Sequence, residues 1–229
     1  MANDQLPKLA ILGGTGDQGS GLALRWALAG YPVTIGSRSA ERVSKHVNSL
    51  NEQYKTIKMV GDSNRGAAAS AEMVILTVPF KVQRTTVVEV RDVLDNKILI
   101  DVTVPLVPPK VARAQLPVGG SAVAGIQELL GQSVKVVSAF QNVSAEHLQH
   151  VDEPIDCDVL VCGDDVEARE AVIKLAADGG MRGIHAGPLS NSVVAEALTS
   201  VLIGINKRYK VHGAGISITG LPGPVEDCR

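Results

Sequence analysis

Aromatic residues are scarce in this 229-residue chain, at 3% of positions with one tryptophan. So few stacking platforms for bases argue against a nucleic-acid partner. Charge of one sign is lacking as well: 22 Lys and Arg against 24 Asp and Glu leave a formal net charge of -2. That balance sets up no field for polyanions or acidic membranes. No uninterrupted apolar run approaches the roughly 20 residues that span a bilayer, so no membrane partner is expected. Cysteine is limited to three residues, an odd number, which fits a reducing compartment better than a disulfide framework. Cys157 and Cys162 are five apart on an expected strand, so they point to opposite faces and are poorly placed to pair. The opening segment, 1–8, has neither an apolar core nor a basic leader and does not read as a signal peptide. The expected location is cytoplasmic. The chain also lacks a nucleophile elbow, a P-loop, zinc-ligand spacing and a paired acid–base motif. His147 and His150 share a helical spacing without further ligands, so no metal is expected. Chemistry carried by cofactors is the expectation that remains.

What is abundant is Val, Ala, Leu and Ile, in a chain that is 45% hydrophobic, a composition suited to a parallel sheet covered on both faces. Strand-like runs are expected at Leu9–Leu12, Val33–Ile35, Lys58–Val60, Met73–Val78, Ile98–Asp101 and Lys135–Ala139. Helical segments fall between them, at Gly19–Ala29, Ala40–Gln53, Arg65–Ser70, Val82–Val93 and around Ala122–Leu130. This alternation predicts an α/β fold, a Rossmann-type doubly wound parallel sheet with a small C-terminal α/β domain. The expected boundary divides residues 1–143 from 144–229. In the second part Ser144 reads as a helix cap, Asp158–Cys162 as a strand, Val166–Asp178 as a helix and Arg182–Leu189 as a strand. Asn191 then caps a long apolar helix running from Val193 to about Tyr209; the end, Gly213–Arg229, is rich in Gly and Pro, and its last residues are expected to be mobile.

The sharpest signal lies at the first strand. Leu9-Ala-Ile-Leu runs into Gly14-x-Gly16-x-x-Gly19 and then into an alanine- and leucine-rich helix, the order of a dinucleotide-binding turn. The glycines serve a tight turn, close approach of backbone to pyrophosphate, and close helix–strand packing. Thr15, Asp17 and Gln18 fill the variable positions and offer backbone amides at a helix N-terminus. After the second strand, where an NAD site carries an acidic residue, this chain has Ser37 and Arg38. Arginine cannot accept ribose hydroxyls but pairs with a 2′-phosphate. Arg42 lies one helical turn further on, so the expected cofactor is NADP. Thr77-Val-Pro79 ends the fourth strand at its carboxyl edge, where doubly wound sheets hold ligands.

With these residues assembled, the chain resembles the coenzyme F420-dependent NADP reductase family. Seven stretches carry the resemblance in order, between about Leu9 and Gly215: Leu12-Gly-Gly-Thr-Gly16, Gly36-Ser-Arg38, Val74-Ile-Leu-Thr-Val-Pro79, Val104-Pro-Leu-Val-Pro108, Val136-Val-Ser-Ala139, Val161-Cys-Gly-Asp-Asp165 and Ala186-Gly-Pro-Leu-Ser-Asn-Ser192. The resemblance implies an oxidoreductase that passes hydride between NADP(H) and the deazaflavin coenzyme F420, a small-molecule redox carrier. It also implies a homodimer, with the deazaflavin and dimerisation assigned to the second domain. Thr15, Ser37, Arg38 and Arg42 would hold NADP, and Thr77 and Pro79 would border the nicotinamide. Ala139, Gln141, Val143, Ser190 and Ser192 would line the deazaflavin site. The family's archaeal pattern continues Leu-His after Ala139, where this chain has Phe140-Gln141; Gln141 hydrogen-bonds but carries no charge. The alternatives are an NADPH-dependent flavin or ferric reductase, a small hydroxyacid or imine reductase, and a non-catalytic NADP-sensing module.

Overall fold

The computed structural model describes residues 6–221. Residues 1–5 and 222–229, where part of the leader reading, the last residues of the Gly- and Pro-rich end and Cys228 fall, lie outside them. Along the chain the elements are β1 (Leu9–Leu12), α1 (Asp17–Leu28), β2 (Val33–Gly36), α2 (Ala40–Gln53), β3 (Val60–Asp62) and α3 (Asn64–Ser70). Next come β4 (Met73–Leu76), α4 (Phe80–Val90), β5 (Ile98–Asp101), α5 (Ala122–Leu130), β6 (Lys135–Ser138) and α6 (Ala145–Gln149). The last four are β7 (Asp158–Gly163), α7 (Val166–Asp178), β8 (Arg182–His185) and α8 (Ser192–Tyr209).

The strands form one sheet in the order β3-β2-β1-β4-β5-β6-β7-β8. All pairings are parallel except β6 with β7, which run antiparallel through Val137↔Gly163 and Ser138↔Cys162. The α/β fold with a doubly wound parallel sheet is therefore present, and the segment from 144 onward extends that same sheet by two strands. Alternate side chains enter opposite cores, as a strand's two-residue period requires. On β1, Leu9 and Ile11 join the layer containing Leu22, Trp26 and Val172, while Ala10 and Leu12 join the layer with Val87, Leu99 and Ile126.

Local boundaries differ from the sequence expectation where caps and breaks decide them. The third strand lies two residues later than expected, and the last one stops at His185, short of a 3-10 turn at Leu189–Asn191. Ser39, Ser63, Ser121 and Asp165 cap α2, α3, α5 and α7 by accepting from Arg42, Gly66, Ala124 and Ala168 amides. Neither Ser144 nor Asn191 caps its helix through its side chain. Ser144 Oγ donates to the His212 carbonyl, and Asn191 Nδ2 to that of Ala186.

Helix α1 ties the two parts of the chain together. Arg25 is buried, and its guanidinium donates to the carbonyls of His147, Leu148, His150 and Glu153 and to Gly179. It thereby satisfies carbonyls at the C-terminal ends of α6 and α7, where helix dipoles favour a cation. Burial lowers its pKa from the ordinary arginine value. Beside it, Trp26 Nε1 donates to Leu175 O at 2.8 Å and its ring meets Phe140 edge-on at 5.7 Å.

Among the described residues one helical segment, Leu189–Tyr209, is long and apolar enough to cross a membrane by length and composition, with mean hydropathy 1.3. Its interior carries Glu196, which is buried and bonded to the start of α5.

Candidate active site

The strand order reverses at β1 and β4, since β2 lies on one side of β1 while the chain later returns to place β4 on the other. Doubly wound sheets hold ligands at the carboxyl edge of such a switch point. A cleft of about 820 Å³ opens there, bordered by the β1–α1 turn, the β2–α2 turn, Thr77–Phe80, residues 102–106, Gln141, Val143 and Thr199.

Gly13, outside the fingerprint spacing, takes φ 78° and donates its amide to Gly36 O at 3.1 Å, which turns the chain against β2. A non-glycine residue is disfavoured in that conformation. Gly14 and Gly19 are buried behind the cleft: a Cβ on Gly14 would lie 2.9 Å from Ile35 Cγ2, and one on Gly19 would strike the Thr77 hydroxyl and sit 2.8 Å from Gly14 Cα. Gly16 is the exposed one, and a Cβ there would meet nothing closer than Gly13 O at 3.6 Å. It is the N-cap of α1 and makes no side-chain cap, so the positive end of the helix borders the cleft beside Thr15, Asp17 and Gln18. Gln18 Nε2 donates across the sheet edge to Phe140 O at 3.1 Å.

At one end of the cleft stand Ser37, Arg38, Ser39 and Arg42, with Asn64 behind them. Arg38 and Arg42 are exposed, and neither takes part in an ion pair among the described residues. Ser37 Oγ is engaged by the Ser39 amide, and Ser39 caps α2, so the turn that carries both arginines is fixed. Thr77 lines the middle of the cleft, its hydroxyl donating to Leu12 O at 2.9 Å, and Pro79 begins α4 as its N-cap.

At the other end, Phe140 adopts φ 69° although it is not glycine. This left-handed residue turns the chain so that Gln141 folds back: its Nε2 donates to Asp101 O and Ser138 Oγ, both at 2.8 Å. The Asp101 carbonyl fixes which end of the amide is nitrogen. Gln141 Oε1 is buried without a partner among the described residues, as is Asn64 Oδ1.

Not all expected site residues meet in this cleft. Ala139 is fully buried in the sheet core. Ser190 borders a separate groove beside Lys135 and Asp164. Ser192 is fully buried, its hydroxyl 2.7 Å from that of Ser121. The early end of β8 and the docking of the first turn of α8 on α5 direct these serines elsewhere. Thr199, two helical turns beyond Ser192, is the α8 residue that borders the cleft, and it donates to Gln141 O at 2.8 Å. Thr199 and Asn64 belong to no sequence motif, and only the folded chain brings them to the cleft; Gly13 lies within Leu12-Gly-Gly-Thr-Gly16 but outside the fingerprint spacing.

Two acids lie close behind this end. Asp101 is wholly buried, and burial pushes its carboxyl up to about 6 against the opposing hydrogen bonds from Thr103 and Gln83. Burial likewise raises the Glu196 carboxyl.

Comparison with known proteins follows the same outline. The family described as NADP oxidoreductase coenzyme F420-dependent matches residues 8–105. An F420-dependent NADP reductase of Methanothermobacter thermautotrophicus is 44% identical, covering 97% of this chain and 99% of that one. Another, from Methanocaldococcus jannaschii, is 42% identical over 93% of this chain and 99% of its own. A crystal structure from Arthrobacter sp. FB24 shares the fold, with a TM-score of 0.77 at 23% identity over 93% of this chain and 99% of that one.

Proposed function

We infer the chemistry of this chain from the family to which it belongs, the F420-dependent NADP reductases: it is an NADP-dependent oxidoreductase that transfers hydride between NADP(H) and coenzyme F420. The alternative readings, a flavin or ferric reductase, a hydroxyacid or imine reductase and a non-catalytic sensor, are not favoured by these relatives.

The residues present fit both partners. The exposed Gly16 at an uncapped helix start suits a pyrophosphate, with Thr15, Asp17 and Gln18 beside it. Arg38 and Arg42 suit the 2′-phosphate, with Ser37 adding a hydroxyl. Thr77 and Pro79 would border the nicotinamide, and Gln141 with Val143 would border the deazaflavin. When bound, the nicotinamide and deazaflavin rings themselves supply the hydride chemistry.

The protein's share is orientation and exclusion of water. Val78, Pro79, Phe80, Val102, Val104, Leu106 and Val143 give the cleft an apolar wall, which keeps solvent from the reacting centres. The Gln141 Oε1 acceptor is a hydrogen-bonding group not yet spent on the protein. The observation that carries the reading is one cleft with an open helix N-terminus and two arginines outside any described ion pair at one end, and an apolar, amide-bearing wall at the other.

We also infer a homodimer and a cytoplasmic location. Val194, Val201, Ile205 and Tyr209 leave an exposed apolar stripe along α8, a natural face for a second copy. Cys157 and Cys162 are both buried free thiols, which suits a reducing compartment. The deciding assay mixes NADPH separately with oxidised F420, FMN, FAD and riboflavin and follows each carrier's absorbance. Bleaching of F420 with the flavins untouched is expected; reduction of a flavin without F420 would overturn the reading.

A further inference from the structure

A buried carboxylate stands where the walls of the cleft converge. Asp101 ends β5, and no lysine or arginine pairs with it among the described residues. Instead its Oδ1 accepts the amide of Thr103 at 2.9 Å, and its Oδ2 accepts Gln83 Nε2 at 2.6 Å. Its main-chain oxygen takes the Gln141 side chain. One residue therefore joins three parts of the cleft. Gln83 lies in the first turn of α4, just after Pro79 and Phe80. Thr103 lies in the 102–106 segment, and Gln141 stands on the facing wall.

An isolated buried charge is costly, and a fold that needed only a strand end would be served better by a neutral side chain. What an ionised carboxylate alone provides is two acceptor oxygens and no donor. Asparagine would turn an N–H toward Gln83 Nε2, forcing that amide to flip and to give up its second contact, at 3.4 Å to Ala122 O. A protonated Asp101 has the same defect, since one of its oxygens becomes a donor.

We propose that Asp101 is a positioning residue for hydride transfer, its ionised carboxylate locking α4 and the 102–106 segment at the spacing the two rings need. This rests on the functional reading above. The group that faces Asp101 electrostatically is Glu196 of α8, whose negative charge opposes ionisation. Gln83, Thr103 and Gln141, the contacts from α4, the following loop and the β6 end, do not titrate. Because Arg38 and Arg42, the residues suited to the 2′-phosphate, lie at the other end of the cleft, protonating Asp101 slows transfer without releasing NADPH.

The test is the pH dependence of steady-state F420 reduction by NADPH in the wild type, Asp101→Asn and Gln83→Leu. Wild-type kcat is expected to fall on the acid side of a pH near 6, while KM for NADPH stays within about twofold. Asp101→Asn is expected to lower kcat about tenfold at neutral pH, the scale of a misplaced reacting pair, and to abolish the acid limb. Gln83→Leu keeps the carboxylate but removes a donor to its ionised form, so the limb moves to higher pH. That shift carries the test even if thermal melting shows Asp101→Asn to be unfolded. An acid limb at unchanged pH in both variants belongs to another group, the deazaflavin included, and overturns the assignment, as does wild-type kcat in a folded Asp101→Asn. A wild-type protein that reduces no F420 at any pH overturns the functional reading and this inference with it.

Discussion

Arg25 and Arg38 are both arginines near the first βαβ unit, yet the fold gives them opposite surroundings. Arg25 is enclosed by carbonyls from α6 and α7, so Arg25→Ala strands several buried acceptors. A loss of about 3 kcal/mol in urea unfolding is expected, on the scale of an unsatisfied buried group. A loss under about 0.5 kcal/mol, typical of a surface change, would refute this role. Arg38 is exposed at the cleft mouth, so Arg38→Ala should leave stability alone and erode the preference for NADPH over NADH. A charge-assisted bond of about 1.5–3 kcal/mol corresponds to a drop of roughly 10- to 100-fold in that preference. Binding titrations of both nucleotides check it, and an unchanged ratio would contradict it. The place of Arg38 was legible in the sequence, because a residue directly after the second strand falls at the carboxyl edge of the sheet, at the cleft mouth. That of Arg25 was not, since only tertiary packing brings residues 147–153 and 179 around position 25.

Among the elements, the β1–α1 turn was the most legible, because glycine spacing and the following helix are local signals. The structure adds which glycine does what. Gly14 and Gly19 are packing residues and Gly16 faces the cleft. Gly19→Ala is accordingly expected to push α1 off Gly14 and Thr77, costing about 1–3 kcal/mol of stability as overpacking does, and to weaken NADPH binding at the same time. Gly16→Ala meets open space and should spare stability. Melting curves and NADPH titrations separate the two, and equal melting points would count against the division. Helix α8 was the least legible element near the cleft. Its periodicity marks an apolar helix but not which face meets α5. Glu196 settles that contact by accepting from Ser121 and the first amides of α5, which buries Ser192 and brings Thr199 to the cleft.

On the scale of the whole molecule, one sheet carries the entire described fold, and the buried acids behind its cleft set a conflict between stability and turnover. The Asp101 carboxyl is held at about 6, above its ordinary value, by burial first. A group raised in this way contributes stability that is fully present below its unfolded pKa and lost as pH rises through the folded one. Between pH 5 and 7 the fold should therefore lose stability through Asp101 as the pH increases. The urea midpoint difference between those pH values should shrink in Asp101→Asn; an identical difference in both proteins would rule this out. The same rise in pH ionises Asp101 and favours transfer. The long-range pairings behind this, Gln83 with Asp101 and Ser121 with Glu196, leave no periodic trace in the chain and were not legible there. Hydride is expected to pass directly from one ring to the other in this cleft, and the proton that completes F420 reduction comes separately, from solvent. This ring-to-ring passage is tested most directly with NADPH deuterated at the transferring position of nicotinamide C4, in ordinary water, with the reduced F420 examined by mass spectrometry. Full retention of the deuterium in the F420 product is the result expected; appearance of the label in water, with a solvent proton in its place, would contradict it.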